Sequence, residues 1–286
     1  MRQTMSLSIR LLQEADLENA DAIVQAAFKS SESRLIDLYM YRKIQPDGWY
    51  LASQNGTPVG MVGTTDYAAF AYVGMMAVHP QAQRRGVGLA LMRHLLAWLD
   101  KQCMPFILLD ASPAGQPLYE KLGFVAYNPV VVFQRRSGLT CYDRPPHVQV
   151  VSVRDLDELV KYDADVFGAD RGKVLHVLLT KFPERAFMLR GKGGQITGYV
   201  IAQQSRIGPW VMLQSCDAEE LLRAALVLPY EETISVTVPA VNREAIELLQ
   251  RYGFERVRTN RHMGRGVSGP PGQRQKIYAQ TSLAVG

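Results

Sequence analysis

Residues 74–100 have the sequence GMMAVHPQAQRRGVGLALMRHLLAWLD. The apolar run up to Val78 predicts a buried strand, and the spacing of apolar residues after Gly88 predicts a helix with one buried face. Glycines between a strand and a helix let backbone N–H groups approach an anion. The first turn of the helix adds unpaired donors and the positive end of its dipole. The segment therefore predicts a phosphate site, to which Arg84 and Arg85 add positive charge.

Two other interpretations fit the same glycines. Gly86 and Gly88 could serve only a tight strand-to-helix turn. They could also belong to a dinucleotide-binding fingerprint, with Asp110 as the ribose-binding acid about 20 residues further on. That fingerprint needs a third glycine, where this chain has Leu91. The strands before the loop also predict a hairpin joined by Asn55-Gly56, rather than the start of a βαβ unit.

The composition is typical of a soluble globular protein with two domains. The chain has 286 residues, of which 47% are hydrophobic and 21% are charged, and this length exceeds that of a typical single domain. No window approaches the length of an apolar membrane span, and residues 1–10 lack the apolar core of a secretory signal. We therefore expect no membrane association and a cytoplasmic location. The net charge of +5 is too small to predict nucleic-acid binding.

The spacing of cysteines and histidines argues against a metal centre. Cys103, Cys141 and Cys216 contain no C-x-x-C pair, and the histidines show no ligand spacing. We therefore expect no metal and no disulfide framework. The cysteines are predicted to be reduced and buried as small apolar residues.

Strand and helix patterns alternate in both halves of the chain. A polar stretch ending in Pro145-Pro146 separates them, which predicts a first domain at 1–137 and a second at 146–286. Closing strands are predicted at 130–133 and at 276–279. Two sets of residues recur in order and with the same spacing: Asp16, Leu17 and Phe28 recur as Asp155, Leu156 and Phe167, and Leu118, Gly123 and Phe124 recur as Leu248, Gly253 and Phe254. The chain is therefore predicted to contain one fold twice.

The segment quoted above resembles the cofactor loop of the GCN5-related N-acetyltransferase (GNAT) family, Q/R-x-x-G-x-G/A, through Gln83, Gly86 and Gly88. A second family motif, L-Y-x-x-x-G-F, is matched by residues 118–124. The resemblance implies an α+β acyl-CoA N-acyltransferase fold, a mixed and mostly antiparallel sheet with flanking helices, present twice. It also implies acetyl-CoA as the acyl donor. On the family's pattern the strand backbone would bond the pantetheine arm and the loop would hold the pyrophosphate: Met76, Ala77 and Val78 for the arm, and Arg84, Arg85, Gly86, Val87, Gly88 and Leu89, beside Gln83, for the loop.

The second half resembles the degenerate acetyltransferase-like domain of bacterial tandem members of the family, through residues 167–171 and the ending at 277–284. Alignment of the repeats through the glycines of the second motif places Leu249 opposite Tyr119. The second half also contains no Q-x-x-G-x-G loop. We therefore expect only the first half to act, with the second contributing to the substrate pocket.

Acetyl transfer to an amine requires a neutral nucleophile, polarisation of the thioester carbonyl and protonation of the departing thiolate. Tyr119 suits the last role, because a phenol with an ordinary pKa of about 10 can donate to a stronger base, and the resemblance assigns a tyrosine there. A core aromatic ring with its hydroxyl bonded elsewhere is the alternative. No general base can be identified, because Met75 and Met76 occupy strand positions where some family members carry a glutamate.

Three polar residues are candidates for contacts with the acceptor. Asp66 could act as a base or anchor the amine, although a turn or helix-cap role also fits it. Asp170 and Arg171 could orient a charged substrate or form an ion pair within the protein. The predicted function is direct transfer of acetyl from acetyl-CoA to the primary amine of an acceptor that the sequence does not identify, in a ternary complex. A small molecule is favoured over a protein N-terminus. The alternatives are a catalytically inactive sensor of acetyl-CoA or another small ligand and, more remotely, a nicotinamide-dependent oxidoreductase.

Overall fold

A computed structural model describes residues 6–138, 142–214, 217–266 and 269–286. Two of the cysteines, Cys141 and Cys216, lie outside these ranges. Cys103 is exposed and carries a free thiol, so the expectation that it is buried was wrong. It lies in the turn that follows a helix, with a φ of 54°, and is therefore not on the apolar face of that helix.

The first half begins with a strand and two helices and continues as an antiparallel meander. Its elements are β1 (Leu7–Leu11), α1 (Leu17–Phe28), α2 (Leu35–Ile44), β2 (Trp49–Gln54), β3 (Thr57–Asp66), β4 (Ala71–Val78), α3 (Val87–Lys101), β5 (Ile107–Ala111), α4 (Gln116–Glu120), β6 (Val125–Ala126) and β7 (Val130–Arg136). The β2–β3 hairpin turns at Asn55-Gly56, whose φ values of 48° and 82° confirm the predicted turn.

The second half repeats this order. Its elements are β8 (Gln149–Val150), α5 (Leu156–Phe167), α6 (Gly172–Lys181), β9 (Ala186–Arg190), β10 (Ile196–Ala202), β11 (Arg206–Met212), α7 (Ala218–Leu226), β12 (Thr233–Pro239), α8 (Arg243–Arg251), β13 (Glu255–Arg265) and β14 (Ile277–Ala279). The predicted duplication is confirmed, and β14 confirms the last strand predicted at 276–279.

The two halves exchange one strand each. Along the sheet the order is β1-β2-β3-β4-β5-β13-β7-β12-β11-β10-β9-β8. Residues 261–265 of β13 pair antiparallel with β5 of the first half, and the whole of β7 pairs antiparallel with β12 of the second half. Residues 130–133 therefore do not close the sheet of their own half. The predicted ranges 1–137 and 146–286 each give a strand to the other.

Helix packing also joins the halves. One face of the first half's sheet is covered by α3, whose core-facing stripe is confirmed by its buried residues Val87, Leu91, Met92, Leu95, Leu96 and Leu99. On the opposite face, α1 and α2 share one apolar core with α5 and α6 of the second half. Ala284 and Val285, from the segment after β14, belong to the same core. This segment therefore lies where the two halves meet.

Candidate active site

Strands β4 and β5 part in the middle of the first half's sheet. They pair in parallel only over residues 71–73 of β4 and 107–109 of β5. Beyond this point a β-bulge sets Met75 and Met76 against the single residue Val62 of β3, and Met75 has a φ of 51°. Because a bulge bends and twists its strand, a cleft forms between the carboxyl ends of β4 and β5.

The edge of β4 presents two peptide groups to this cleft. The His79 N–H donates to a carbonyl of β3 at 2.8 Å, and successive residues of a strand direct their N–H and C=O groups to opposite edges. The backbone N–H and C=O of Met76 and Val78 therefore face the cleft, while those of Ala77 face β3. Gln83 Nε2 donates to the Val78 carbonyl at 2.9 Å, which ties the following loop to this edge.

The loop after β4 leaves backbone donors free. Arg84 and Gly86 adopt left-handed conformations, with φ of 59° and 84°, and a Cβ on Gly86 would have open space around it. The helix α3 then begins at Val87, and Ala90 N–H donates to the Gly86 carbonyl at 2.9 Å. The N–H groups of the first turn have no partner within the helix. Together with the exposed side chains of Arg84 and Arg85, they suit an anion.

Three segments meet at Gly88, in the first turn of α3. A Cβ at this position would lie 3.3 Å from Met76 Cε, 3.5 Å from Leu118 Cδ2 and 3.7 Å from Val78 Cγ2. The loop, the cleft edge of β4 and the helix α4 are therefore in contact here. A side chain larger than glycine would fill the space between them.

Tyr119 extends from α4 into the apolar cluster that α3 covers. Tyr119 is 7% exposed, and its ring packs edge-on against the Phe124 ring, with 5.9 Å between the ring centroids. Among the described residues its hydroxyl has no hydrogen-bond partner, whereas the buried Tyr67 donates to the Val285 carbonyl at 2.6 Å. Burial raises the pKa of Tyr119, so the hydroxyl stays protonated at neutral pH and is free to donate.

On the opposite face of the sheet, β5 and the exchanged strand β13 place a carboxylate beside an imidazole. Asp110 lies directly opposite His262 in the strand pairing, and its Oδ1 is 2.8 Å from His262 Nδ1. Its Oδ2 accepts from the Tyr72 hydroxyl at 2.6 Å and from Gln280 Nε2 at 3.2 Å. The side chains of Asp110 and His262 are fully buried. Asp110 is also the first residue of β5 beyond its pairing with β4.

A small cavity adjoins this pair. Its volume is about 20 Å³, which is room for one water molecule. Three of the side chains that line it have buried polar atoms without a hydrogen-bond partner among the described residues: His262 through Nε2, Arg274 through Nε and Nη2, and Gln280 through Oε1. Unpaired buried groups of this kind mark a place for water or for a ligand.

The equivalent cleft of the second half is filled. Strands β11 and β12 pair in parallel only over residues 206–207 and 235–236 and then part, as β4 and β5 do. Strand β14 enters the gap and pairs with β11, and Gln280 N–H donates to the Thr237 carbonyl of β12 at 2.8 Å. A Cβ on Gly208 would lie 2.0 Å from the Gln280 carbonyl oxygen, so this glycine allows the close approach.

Matches to family models follow the division into two halves. A model described as the acetyltransferase (GNAT) family matches residues 15–124, and one described as an acetyltransferase (GNAT) domain matches residues 159–279. The chain belongs to the GNAT acetyltransferase family. It is a tandem member with one GNAT domain in each half, and it is an acyltransferase.

Relatives of this GNAT enzyme span nearly its whole length. It is 28% identical over 258 residues to the holothin acyltransferase of Pseudoalteromonas sp. (strain SANK 73390), covering 87% of this chain and 85% of the relative. A crystal structure of a proposed acetyltransferase from Pyrococcus horikoshii matches with a TM-score of 0.86 at 26% identity, covering 100% of this chain and 99% of that one. A GCN5-related N-acetyltransferase from Sphaerobacter thermophilus shares the fold, with a TM-score of 0.70 at 16% identity over 93% and 98% of the two chains.

Two further features concern the part of the chain that the structure describes. No helix there has the length and apolar character needed to cross a membrane. The same residues include no group of three or more His, Cys, Asp or Glu side chains placed to hold a metal ion.

The predicted donor-site residues of the GNAT enzyme lie along the cleft, except that the backbone groups of Ala77 face β3. Two of the predicted acceptor residues lie elsewhere. Asp66 pairs with the first residue of β4, roughly 17 Å along the strand from Met76, and its Oδ1 accepts from Ala68 N–H at 2.6 Å. Asp170 is exposed, and its Oδ1 accepts from Gly172 N–H at 2.7 Å. Both side chains therefore have local turn and cap roles and do not reach the cleft.

Arg171 is fully buried and paired with a carboxylate. Its Nε and Nη2 donate to Asp163 at 2.6 and 2.7 Å, and its guanidinium lies 4.1 Å from the centre of the Phe167 ring. Burial opposes this charge, but Asp163 more than offsets the effect and holds the pKa of Arg171 above its ordinary value. The ion pair within the protein, one of the two roles considered for this residue, is therefore observed. Arg171 lines the cavity beside His262 with its charge already compensated.

Sequence reasoning missed the buried polar side chains of His262, Arg274 and Gln280, which line the small cavity. Asp110 was considered only as a ribose-binding acid, whereas it is buried and bonded to His262. No local spacing links Asp110 to His262, because the exchange of β13 brings His262 beside β5. The one available signal was a histidine at an inward position of a strand, which by itself more often marks a structural residue.

Proposed function

We propose that this enzyme transfers acetyl from acetyl-CoA to the primary amine of a small molecule, directly and in a ternary complex. The observation that carries the proposal is the meeting at Gly88 of the glycine loop, the cleft edge of β4 and the tyrosine helix α4. Each of these three segments suits one part of the donor. Their convergence supports a single donor site in the first half.

The loop and the strand edge suit the polar groups of acetyl-CoA. A pyrophosphate needs hydrogen-bond donors and positive charge, which the first turn of α3 and the side chains of Arg84 and Arg85 offer. The pantetheine arm carries amides, which the outward peptide groups of Met76 and Val78 can bond as a neighbouring strand would. Ala77 lies between these two donors. The loop residues proposed to line the pyrophosphate site, with Gln83 holding the loop to the strand, are Arg84, Arg85, Gly86, Val87, Gly88 and Leu89.

Tyr119 is the proposed general acid. Its hydroxyl is unpaired among the described residues, and burial keeps it protonated, so its proton is available to the departing thiolate. The thioester oxygen would accept from an outward N–H of β4, at Val78 or Met76, in a site that excludes water. A tyrosine in the apolar cluster and donors on the strand edge would thus act on the two ends of the breaking bond.

The acceptor is proposed to enter from the face that both halves share, where α1 and α2 pack with α5 and α6. The second half would then shape the acceptor pocket without binding a donor of its own. The similar Pseudoalteromonas protein is named for holothin, so this compound belongs in a panel of candidate amines.

Thermal denaturation with acetyl-CoA, CoA and NAD tests the donor. A ligand that binds only the native state raises Tm by mass action, and we expect stabilisation by the first two but not by NAD. Thiol release across a panel of amines, holothin included, then tests transfer. Stabilisation by NAD alone would contradict the proposal. Binding of acetyl-CoA without turnover of any amine would instead support a sensor.

A further inference from the structure

The proposed reaction needs a group that takes a proton from the attacking amine, and neither Met75 nor Met76 on β4 can do so. The buried pair of Asp110 and His262 is placed for this role. It lies where β4 and β5 part, on the face of the sheet opposite Tyr119. A base on one face and an acid on the other would lie on opposite sides of the thioester, whose carbon–sulfur bond breaks as the carbon–nitrogen bond forms.

Asp110 fixes the tautomer of the imidazole. Burial disfavours its charge, but the interactions with His262, Arg274 and Tyr72 hold the pKa of Asp110 below its ordinary value. An ionised carboxylate only accepts hydrogen bonds, so His262 Nδ1 carries the shared proton and Nε2 presents a lone pair. An imidazole that a carboxylate orients in this way is positioned to act as a general base.

The lone pair of His262 Nε2 is unpaired, and His262 lines the cavity of about 20 Å³. A water in this cavity would donate to His262 Nε2 and to Gln280 Oε1 and would accept from Arg274. All three side chains line the cavity and have buried polar atoms without a partner among the described residues. The site is therefore polar, large enough and complete for one bridging water.

We propose that His262, oriented by Asp110, is the general base of the reaction and takes the amine proton through a water held in this cavity. The inference rests on the proposed function, because it assigns a role in the same transfer. The base belongs to the second half of the chain. Strand β13 carries it into the sheet of the first half, so the strand exchange completes the active site.

The transfer replaces the carbon–sulfur bond of the thioester by a carbon–nitrogen bond. The amine nitrogen forms a bond to the acyl carbon, and the proton that this nitrogen loses passes through the water to His262 Nε2. The carbon–sulfur bond breaks with its electron pair on sulfur, which takes the proton of Tyr119. Solvent then removes the proton from His262 and returns one to Tyr119, which leaves the amide and the free thiol as products.

The environment of His262 keeps the ring in its basic form. The titratable and charged groups that face it are Asp110 on β5, Tyr72 on β4, Tyr127 after β6, Arg274 before β14 and the paired Arg171 before α6. Burial lowers the pKa of His262; the Asp110 charge opposes this and Arg274 adds to it. Activity that needs the neutral ring is therefore complete above this pKa and is lost as the pH falls through it.

Replacement of His262 by glutamine tests the role directly. We expect His262→Gln to lower kcat by about 10²- to 10⁴-fold and to leave acetyl-CoA affinity unchanged. The matched control is His94→Gln, at an exposed histidine on α3, which should keep both values. A folded His262→Gln enzyme with wild-type kcat would overturn the proposal. Failure of the wild-type enzyme to acetylate any amine would instead remove the proposed function.

Asp110→Asn gives a second measurement that does not depend on the fold tolerating a change at His262. Loss of the negative charge lowers the pKa of the ring further and removes the preference for a proton on Nδ1. We expect a lower kcat and an acid limb of kcat/KM that moves to lower pH, measured with the same amine as the wild type. A loss of activity with no movement of the acid limb would indicate a structural role only and would overturn the proposal.

Discussion

The two clefts of this chain share one architecture and differ in what lies between their strands. In the first half β4 and β5 part, and the described residues place no strand between them. In the second half β11 and β12 part in the same way, but β14 fills the gap. The two halves therefore keep one fold, but a segment of the chain itself occupies the second cleft.

Each cleft has a glycine against which the segment after β13 packs closely. Gly208 admits the Gln280 carbonyl into the second cleft, and Gly74 admits Ala284 beside the first, where a Cβ would lie 2.3 Å from Ala284 Cα. One segment after β13 therefore passes both points of strand separation. It fills the second cleft and packs beside Gly74 at the first. The second half thus supports the first cleft through this segment and through the exchanged strand that carries His262.

The largest difference in activity between the halves is expected at Tyr119, whose position in the second half is held by Leu249. Tyr119→Phe should lower kcat about 10²-fold, because the departing thiolate loses its proton donor, with little change in acetyl-CoA affinity. Tyr252→Phe is the control, since it removes a second-half hydroxyl that bonds Glu219 at 2.7 Å, and it should leave kcat unchanged. Steady-state thiol release measures both. An unaltered kcat would remove Tyr119 from the acid role.

The charge of the first-half loop should have a smaller effect. Arg84→Ala combined with Arg85→Ala should raise the Kd for acetyl-CoA about tenfold, or about 1.4 kcal/mol, because both side chains are exposed and partly screened. The effect should shrink as ionic strength rises. Arg243→Ala with Arg251→Ala, on an exposed face of the second half, is the matched control. Equal losses in the two pairs, measured by calorimetry, would show that net charge rather than the loop attracts the donor.

The smallest effect on activity is expected where a tyrosine is placed in the second half. Leu249→Tyr in a Tyr119→Phe background should not restore turnover, because β14 fills the adjoining cleft. Leu249 is fully buried, so an unpaired hydroxyl there should lower the free energy of unfolding by about 1–3 kcal/mol. Thiol release and denaturant unfolding measure the two outcomes. Recovered turnover would show that the second cleft can open to acetyl-CoA.

Short sequence patterns correctly predicted the turns, helices and strands that depend on neighbouring residues. The turn at Asn55-Gly56, the apolar stripe of α3 and the strand at 276–279 follow from spacing and from conformational preference. The Gln83 to Gly88 loop and the motif at 118–124 were likewise sufficient to predict the family. Each of these signals depends on residues within a few positions of one another, whereas the duplication was predicted from two sets of residues that recur in the second half.

The exchange of β7 and β13 could not be predicted in the same way. Alternation of apolar residues determines which face of a strand is buried, but it does not specify the neighbouring strand. The contact between Asp110 and His262 depends on that neighbour, and so does the cavity beside it. Asp66 ends the strand before β4, but it pairs with the first residue of β4 and has the turn role that the sequence also suggested. Arg171 became a candidate because residues 167–171 resemble those of tandem family members. Its pairing with Asp163 of α5 is seen only in the folded structure.

Calorimetric titration of the full chain with acetyl-CoA tests most directly the claim that only the first cleft takes the donor. We predict one binding site per chain, abolished by Gly88→Leu, whose side chain would fill the space between Met76, Val78 and Leu118. Gly269→Leu, at a glycine with open space around it, should bind as the wild type does. Two sites per chain, or undiminished binding by a folded Gly88→Leu variant, would contradict this account.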